Sequence, residues 1–257
     1  MAHTRISFLS VPIDIIPEQN LADEIVELVQ QDSSSQICFV TIWDILKARF
    51  NQEYMNCLKN AAIVLPISKS ILNGAAFLKL PVPVRYNPFK AVISIMNALD
   101  KNFRTLYMLG SRRESLMAAE KNVRSTFSGL RIVGRYVGYY PKTSEEDIVE
   151  AIYKAAPSLT LLSDGISGGD MWYYRRRKKF ISVKSRNLET KSSPGIFLFY
   201  KDCFGIFSRR KRRISENTFA KGLEFWSELI RNPFKIFLVF PYLWYLIVLL
   251  WYKIFKK

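Results

Sequence analysis

The chain has 257 residues, 49% of them hydrophobic, and a formal net charge of +16 at pH 7. This composition is that of an ordinary globular protein with a sizeable core, in one large domain or two small ones. The positive charge favours an anionic partner, either a nucleic acid or the anionic cytoplasmic leaflet of a membrane, whereas three dispersed cysteines and one histidine argue against a zinc site.

The first residues of the chain do not predict an export signal. Pro12, Asp14 and Pro17 interrupt them before an apolar region of signal length develops. We therefore expect reduced, cytosolic thiols at the three cysteines. His3 lies in a terminus that we expect to be frayed, and we assign it no role.

Apolar runs and helical periodicities alternate along the first 200 residues. Uninterrupted β-rich runs predict strands, at residues 6–11, 37–42, 61–65, 105–109, 130–133, 159–162 and 196–200. Amphipathic spacing predicts helices between them, at residues 17–30, 43–50, 71–78, 88–99, 114–127, 144–156 and 171–180. Ser144 and Asp147 form a capping pattern at the start of one of these helices.

This alternation predicts an α/β fold, a Rossmann-like and mostly parallel sheet with helices on both faces. The strands are apolar throughout rather than at every second position, which is typical of strands buried on both faces. Ligands of such sheets bind at the carboxyl ends of the strands. The composition changes near Ser208, so we predict an α/β domain at residues 1–207 and a C-terminal appendage at residues 208–257.

The predicted appendage combines positive charge with apolar segments. It contains 11 Lys or Arg and three Glu, and therefore +8 of the net charge. Residues 215–230 have the spacing of an amphipathic helix, and residues 236–252 carry no charge and are rich in Trp and Tyr, which favours a membrane seat. A helix of that length extends roughly 26 Å, short of the roughly 30 Å hydrocarbon core, so a spanning helix and a surface helix both remain open. The basic run at residues 175–179 is either a solvated helix face or part of the same membrane-facing surface.

Two glycine-bearing loops follow predicted strands. Gly110 and Ser111 precede a helix start, where exposed amides would hold a phosphate. Gly165 lies in the loop at residues 163–170, whose glycines permit a close approach of backbone to ligand. A structural turn is the alternative for both loops, and a capping role is the alternative for Asp170 at the end of the second.

Three segments resemble one known family. They are LYMLGSRRES at residues 106–115, GLRIVGRYVGYY at 129–140 and GLEFWSELIRNP at 222–233. Their sequences, order and separations are similar to those of the WecG/TagA/CpsF glycosyltransferases, over nearly the whole chain. The resemblance implies transfer of an N-acetylmannosamine-type sugar from a UDP donor to an undecaprenyl-diphosphate-linked acceptor at the inner face of a bacterial membrane, with no metal or other cofactor.

The resemblance also assigns substrate-contacting residues. Thr41 matches the threonine of the family's early TPN motif, and Arg85 matches its arginine. Gly165 matches the nucleotide loop, in which Asp170 takes the place of a glutamate. Arg213 falls where the family's tail arginine enters the active site, so arginines and amides are expected to stabilise the leaving diphosphate.

The expected base is missing from its family position. The family's proposed catalytic aspartate is replaced here by Ile67, which cannot accept a proton. A sugar hydroxyl is a poor nucleophile at neutral pH, and general base catalysis contributes about 10² to 10⁴ in rate. Either another carboxylate has the role, with Asp44, one turn beyond Thr41, and Asp170 as candidates, or the protein binds ligands without transferring sugar.

We therefore expect a membrane-associated, inverting and metal-independent transferase of cell-envelope polysaccharide, at the cytoplasmic face of the cell membrane. The alternative is a catalytically inactive scaffold that binds the nucleotide or the lipid-linked glycan. A nucleic-acid-binding protein would account for the charge but not for the uncharged segment at residues 236–252, so no nucleic acid partner is expected. The expected partners are the UDP-sugar, the lipid-linked acceptor and anionic lipid, and self-association is left open.

Overall fold

The computed structural model describes residues 3–31, 33–181, 195–222, 237 and 239–255. Two sheets lie within these ranges. The smaller is an antiparallel hairpin of β1 (Thr4–Phe8) and β2 (Val11–Ile15). The larger has six strands in the order β4-β3-β8-β7-β5-β6, and each of its pairings is parallel. Its strands are β3 (Ser35–Val40), β4 (Ile63–Pro66), β5 (Thr105–Leu109), β6 (Arg131–Tyr136), β7 (Leu159–Leu162) and β8 (Ile196–Phe199).

Helices connect the strands and cover both faces of the large sheet. In chain order the described α-helices are α1 (Leu21–Gln30), α2 (Ile42–Phe50), α3 (Gln52–Asn60), α4 (Lys69–Phe77), α5 (Pro88–Lys101), α6 (Arg113–Thr126), α7 (Glu145–Ala155), α8 (Met171–Ile181), α9 (Cys203–Phe207), α10 (Glu216–Lys221) and α11 (Val239–Phe255). The predicted α/β architecture with a parallel sheet is thus confirmed.

The core explains why the strands are apolar at successive positions. In β3, Ile37 and Phe39 belong to the cluster packed under α1, α5 and α6, whereas Cys38 and Val40 belong to the cluster packed under α2, α3 and α4. Side chains alternate between the two faces of a strand, so burial of both faces requires an apolar residue at every position.

Several predicted elements differ in the structure. The strand expected at residues 6–11 is a hairpin, because the chain turns at Leu9 and Ser10, both of which have positive φ. Helix α3 was not predicted; its start is capped by Asn51, whose side chain accepts from the Tyr54 amide at 2.9 Å. The predicted Ser144 cap is wrong, since the chain enters α7 through a 3₁₀ turn and Ser144 makes no capping hydrogen bond.

His3 is also not frayed. Its ring is almost fully buried, with Nδ1 3.1 Å from Glu24 Oε2 and Nε2 3.3 Å from Asp14 Oδ1. Asp14 is itself fully buried and accepts two hydrogen bonds from Arg5 and one from the Val64 amide. These contacts tie the hairpin to β4.

The appendage is described in two parts. The helix predicted at residues 215–230 is seen only as α10, which ends at Gly222 in the left-handed conformation (φ +74°), and residues 223–230 lie outside the described ranges. Helix α11 packs its Tyr245, Val248 and Leu249 into the cluster under α2 and α4, and the Tyr245 hydroxyl donates to the Ser70 carbonyl at 2.7 Å. Within the described part of the chain, no helix is both long enough and apolar enough to cross a membrane.

Candidate active site

The carboxyl ends of the six parallel strands form one edge of the large sheet, and most of the predicted site residues follow these ends. Two groups of residues lie on either side of β8. The first follows β3 and β4 and contains Thr41, Asp44 and Arg85. The second follows β5, β6 and β7 and contains the two glycine-bearing loops.

Thr41 and Asp44 are directly bonded at the end of β3. Thr41 donates to Asp44 Oδ2 from its hydroxyl at 2.6 Å and from its amide at 2.8 Å, and the Asp44 amide donates back to the Thr41 hydroxyl at 3.4 Å. This is a capping box, which satisfies orphan amides at the start of α2. The Tyr54 hydroxyl donates to Asp44 Oδ1 at 3.1 Å, so both carboxylate oxygens are engaged.

Ile67 links this pair to Arg85. The Ile67 amide donates to the Val40 carbonyl at 3.0 Å, and its own carbonyl accepts from Arg85 Nε at 2.9 Å. The Ile67 side chain packs against the core on the α5 side of the sheet. The backbone of Ile67 therefore links Arg85 to the end of β3, directly before Thr41.

The C-terminal appendage contacts Arg85 through α10. Arg85 donates to the Phe219 carbonyl of α10 at 2.5 Å, and its guanidinium lies 3.8 Å above the Phe219 ring. Lys69 donates to the Lys221 carbonyl at 3.2 Å, and Lys90 pairs with Glu216 at 2.9 Å. Helix α10 consequently covers this end of the sheet edge. Arg213, just before α10, is exposed, and its charge contributes to the lowered pKa of Glu216, for which the hydrogen bond from Lys90 is the larger cause.

The glycine-bearing loops pack against each other. The Ser111 amide donates to the Asp164 carbonyl at 2.6 Å, and the Tyr139 amide donates to the Gly165 carbonyl at 2.8 Å. A Cβ at Gly165 would lie 2.6 Å from the Tyr139 ring and 2.9 Å from its amide nitrogen, and Gly165 has a φ of +81°. Gly165 therefore allows the two loops to pack closely against each other. This is the structural role that was expected from the sequence as the alternative to ligand binding.

The amides of Gly110 and Ser111, just before α6, are also used within the protein. The Gly110 amide donates to the Tyr136 carbonyl at 3.0 Å, and that of Ser111 has the partner given above. A phosphate at this loop would have to be bound by other groups, which are the amides of the first turn of α6 and the exposed Arg112 side chain. Ser111 and Tyr139 both have positive φ without being glycine. Such backbone strain clusters at ligand sites.

An ionisable cluster that the sequence did not reveal lies beside these loops. Asp202 follows β8 and accepts a hydrogen bond from Lys211, which raises the pKa of Lys211. Asp164 and Tyr139 add to that effect, and the Tyr139 hydroxyl lies 3.3 Å from Asp164 Oδ2. The only available signal for Asp202 was its place directly after the last strand. This cluster puts two carboxylates and a lysine at the centre of the sheet edge.

Asp170 lies below the edge, against the layer formed by α2 and α3. Its carbonyl accepts from Gln36 Nε2 at 2.7 Å, and its Oδ1 atom is fully buried with no hydrogen-bond partner among the described residues. Burial, followed by the nearby Asp44 charge, raises the pKa of Asp170 from 3.8 to about 8. At neutral pH this carboxyl group therefore holds its proton.

The basic run of α8 is largely paired with acidic residues of other helices. Arg175 makes a bidentate pair with Glu53 of α3 at 2.9 and 2.7 Å, Arg176 pairs with Glu145, and Lys179 pairs with Glu146 at 2.9 Å. The run thus joins α8 to α3 and α7. Among the residues that the structure describes, no group of three or more His, Cys, Asp and Glu side chains is arranged to hold a metal ion.

Comparison with known proteins places this geometry in a family. The sequence model of the glycosyl transferase WecG/TagA/CpsF family matches residues 6–257, nearly the whole chain. No curated protein matches the chain.

Proposed function

The chain belongs to the glycosyl transferase WecG/TagA/CpsF family, which suggests a glycosyltransferase of cell-envelope polysaccharide synthesis, and on that premise we propose the finer reaction. The donor is a UDP-linked sugar of the N-acetylmannosamine type, and the acceptor is a hydroxyl of a polyprenyl-diphosphate-linked glycan. The observation that carries the proposal is the 2.6 Å hydrogen bond from the Thr41 hydroxyl to Asp44 at the carboxyl end of β3.

In this reaction the acceptor oxygen attacks the anomeric carbon of the donor. The new glycosidic bond forms as the bond from that carbon to the diphosphate breaks, and UDP leaves with the electron pair. The acceptor proton passes to the Thr41 hydroxyl while the Thr41 proton passes to Asp44, so the carboxylate acts as the base through the hydroxyl. Attack opposite the leaving group inverts the anomeric centre.

The remaining residues have binding roles in the proposal. Arg85, Arg213 and the side chain of Arg112 stabilise the negative charge that develops on the diphosphate, as cations do without a metal. Gly110, Ser111 and Gly165 hold the loops in the shape that receives the nucleotide. Asp170 is the weaker candidate for the base, because its raised pKa leaves it protonated below about pH 8.

The test measures transfer from UDP-N-acetylmannosamine to a short polyprenyl-diphosphate-linked acceptor. Asp44→Asn keeps the size of the side chain and an oxygen for capping but removes the base, and we expect a loss of about 10² to 10⁴ in rate. Thr41→Ser keeps the hydroxyl and should stay within a few-fold of the native rate. Retention of full activity by Asp44→Asn, with the fold intact by circular dichroism, would sink the assignment.

The pH profile separates the two carboxylates. If Asp44 is the base, the rate does not depend on Asp170, and Asp170→Asn keeps the activity of the native chain. If Asp170 is the base, the native rate rises through about pH 8 and Asp170→Asn loses it.

A second candidate function is a catalytically inactive scaffold, which a specific observation favours. Both Asp44 oxygens already accept hydrogen bonds, Arg85 is bonded to the tail, and Ile67 lies where the family has its aspartate. A scaffold would bind UDP without turnover, and UDP at 100 times its dissociation constant would stabilise the fold by about 2.7 kcal/mol in a thermal shift assay. Ile67→Asp should then create transfer activity, whereas in an active enzyme it adds little.

The proposed setting is the cytoplasmic face of the membrane, with α11 lying on its surface. The exposed side of α11 is rich in large apolar side chains, which are Phe240, Leu243, Trp244, Ile247, Leu250, Trp251, Ile254 and Phe255. Such a face, near cationic side chains, suits an interfacial helix. Alkaline carbonate should release the native chain from membranes, and retention after carbonate would favour a spanning anchor instead.

A further inference from the structure

A cleft of about 470 Å³ lies on the flank of the molecule, between the β1–β2 turn, the end of α4 and the last turns of α11. We call it the hairpin cleft. Its walls are both apolar and cationic, and they include Leu9, Ser10, Phe77, Leu78, Lys79 and Lys253. The volume is within the range of small-ligand sites. The hairpin cleft lies outside the sheet edge and has no part in the proposed transfer.

The walls of the hairpin cleft are fixed by contacts between distant parts of the chain. The Ser10 and Tyr252 hydroxyls are 2.6 Å apart, and Lys253 Nζ lies 3.6 Å above the Phe77 ring. Leu9, Ser10 and Lys79 have φ values of 49°, 72° and 59°, which non-glycine residues rarely adopt. The surrounding structure therefore holds three strained residues around one cleft.

The surroundings of the hairpin cleft indicate the kind of ligand. Trp251 and Ile254 flank Lys253 along α11 and are exposed, and Val82, two residues beyond the cleft wall at Leu80, is 51% exposed. Tryptophan and aliphatic side chains next to lysines are the composition of a surface at the level of lipid headgroups. A free phosphate would use the cations alone and leave the apolar rim without a partner.

We propose that the hairpin cleft binds the phosphate-bearing headgroup of an anionic glycerophospholipid. Lys79 and Lys253 pair with the headgroup phosphate, and the Ser10 hydroxyl adds a hydrogen bond. The acyl chains leave the cleft past Leu78 and continue along the exposed apolar face of α11. The inference rests on the proposed membrane seat and adds to it a defined lipid site.

Vesicle binding by the full-length chain tests the site. The cleft variant is the double substitution Lys79→Gln and Lys253→Gln. The matched control is the double substitution Lys101→Gln and Lys121→Gln, which removes two exposed cations from α5 and α6 on the opposite face of the sheet. With vesicles of phosphatidylcholine and phosphatidylglycerol, we expect the cleft variant to bind about 25-fold more weakly, about fivefold for each cation removed. The control should bind these mixed vesicles as tightly as the native chain does. The native chain, the cleft variant and the control should bind vesicles of pure phosphatidylcholine equally.

A second measurement removes the contribution of general surface charge. Dihexanoyl phosphatidylglycerol, kept below its micelle concentration, should raise the melting temperature of the native chain and not that of the cleft variant, while inorganic phosphate should raise neither. Equal binding of mixed vesicles by the cleft variant and the control, or no shift with the short lipid, would overturn the lipid site while leaving the membrane seat. Failure of the native chain to bind any vesicle would overturn both the lipid site and the membrane seat. The proposed transferase activity would stand, because its assay does not depend on vesicle binding.

Discussion

Two parts of the molecule bury a carboxylate, and they do so in opposite ways. In the N-terminal hairpin, Asp14 is fully buried but receives Arg5 Nε at 2.6 Å, Arg5 Nη2 at 2.8 Å and the Val64 amide at 2.7 Å. At the start of α8, Asp170 buries an oxygen that has no partner in the described chain. The first arrangement keeps a charge inside the protein by pairing it, and the second keeps a proton on the acid instead.

The network around Asp14 stabilises the fold, whereas the unpaired buried oxygen of Asp170 costs folding free energy. The Asp14 network joins β1, β2 and β4, so its hydrogen bonds hold the hairpin on the sheet. The Asp170 region lies next to Asp44, whose own partners are Thr41 and Tyr54 at the candidate site. Unsatisfied buried groups and strained loops are expected near sites that bind or react.

The largest loss of stability is expected on substitution of Asp14, the paired carboxylate. Asp14→Asn leaves Arg5 without its counter-charge. Breaking a buried pair costs about 3–5 kcal/mol of unfolding free energy, and we expect the lower end because the Arg5 side chain is 34% exposed. Urea denaturation monitored by circular dichroism measures the loss. The control is Asp23→Asn in the exposed first turn of α1, where loss of the interaction with the helix dipole should cost less than about 1 kcal/mol. Equal stability of the two variants would show that the network does not hold the hairpin.

Substitution of Asp170, the unpaired carboxylate, should stabilise the fold, and the size of this gain should depend on pH. Asp170 is protonated in the folded chain up to about pH 8 but ionised in the unfolded chain above 3.8. Its contribution to stability is therefore complete below about pH 4 and is lost as pH rises toward 8, with a slope approaching 1.4 kcal/mol per pH unit. Asp170→Asn removes this dependence.

The measurement is the melting temperature of native chain and Asp170→Asn from pH 4 to pH 8. The variant should match the native chain near pH 4 and be increasingly more stable toward pH 8. A constant difference across this range would contradict the assigned protonation state, because a mutation without a linked proton shifts all points alike.

A smaller effect is expected in the loops at the sheet edge. Gly165→Ala adds the cost of positive φ, roughly 1–2 kcal/mol, to a contact of 2.6 Å with the Tyr139 ring. Gly168→Ala is the matched control, since its φ is +89° but the nearest atom is 3.6 Å away. Denaturation midpoints should place Gly165→Ala below Gly168→Ala. The reverse order would mean that the loops do not pack as described.

The smallest effect is expected at the exposed ion pair between α8 and α3. Glu53→Gln removes the partner of Arg175, but both side chains are about half exposed, so water and salt screen the pair. We expect no measurable change in the denaturation midpoint. A loss comparable to that of Asp14→Asn would mean that pairing at the surface and pairing in the core are equivalent in this fold.

Much of the fold was accessible from local pattern. Strands β5 and β7 begin and end at the residues predicted for them, because short apolar runs bounded by polar residues have few alternative structures. Helix α3 was missed because its nine residues are mostly polar and its start depends on a single asparagine cap. The hairpin turn was missed because Leu9 and Ser10 are not residues that usually adopt positive φ.

The positions of the two glycine-bearing loops were predictable from the sequence, but their contacts were not. The sequence placed Gly110 and Gly165 after strands, and parallel strands bring such positions to one edge. Thr41 fell at the end of a predicted strand and Arg85 beyond a predicted helix, and only their resemblance to the family marked them. It gave no means of knowing that loop amides bond to neighbouring loops or that Asp202 meets Lys211, since these partners are distant in sequence.

The apolar runs, the helical spacing and the charge of the chain determined the α/β class, and the motif order determined the family. Only the tertiary structure decided the state of each ionisable group. Asp14 and Asp170 are the same residue type, and neither local sequence shows which groups will surround the carboxyl group. Arg5 and the Val64 amide donate to Asp14, whereas Oδ1 of Asp170 is buried with no hydrogen-bond partner among the described residues. The stability of a charge depends on what the fold places around it.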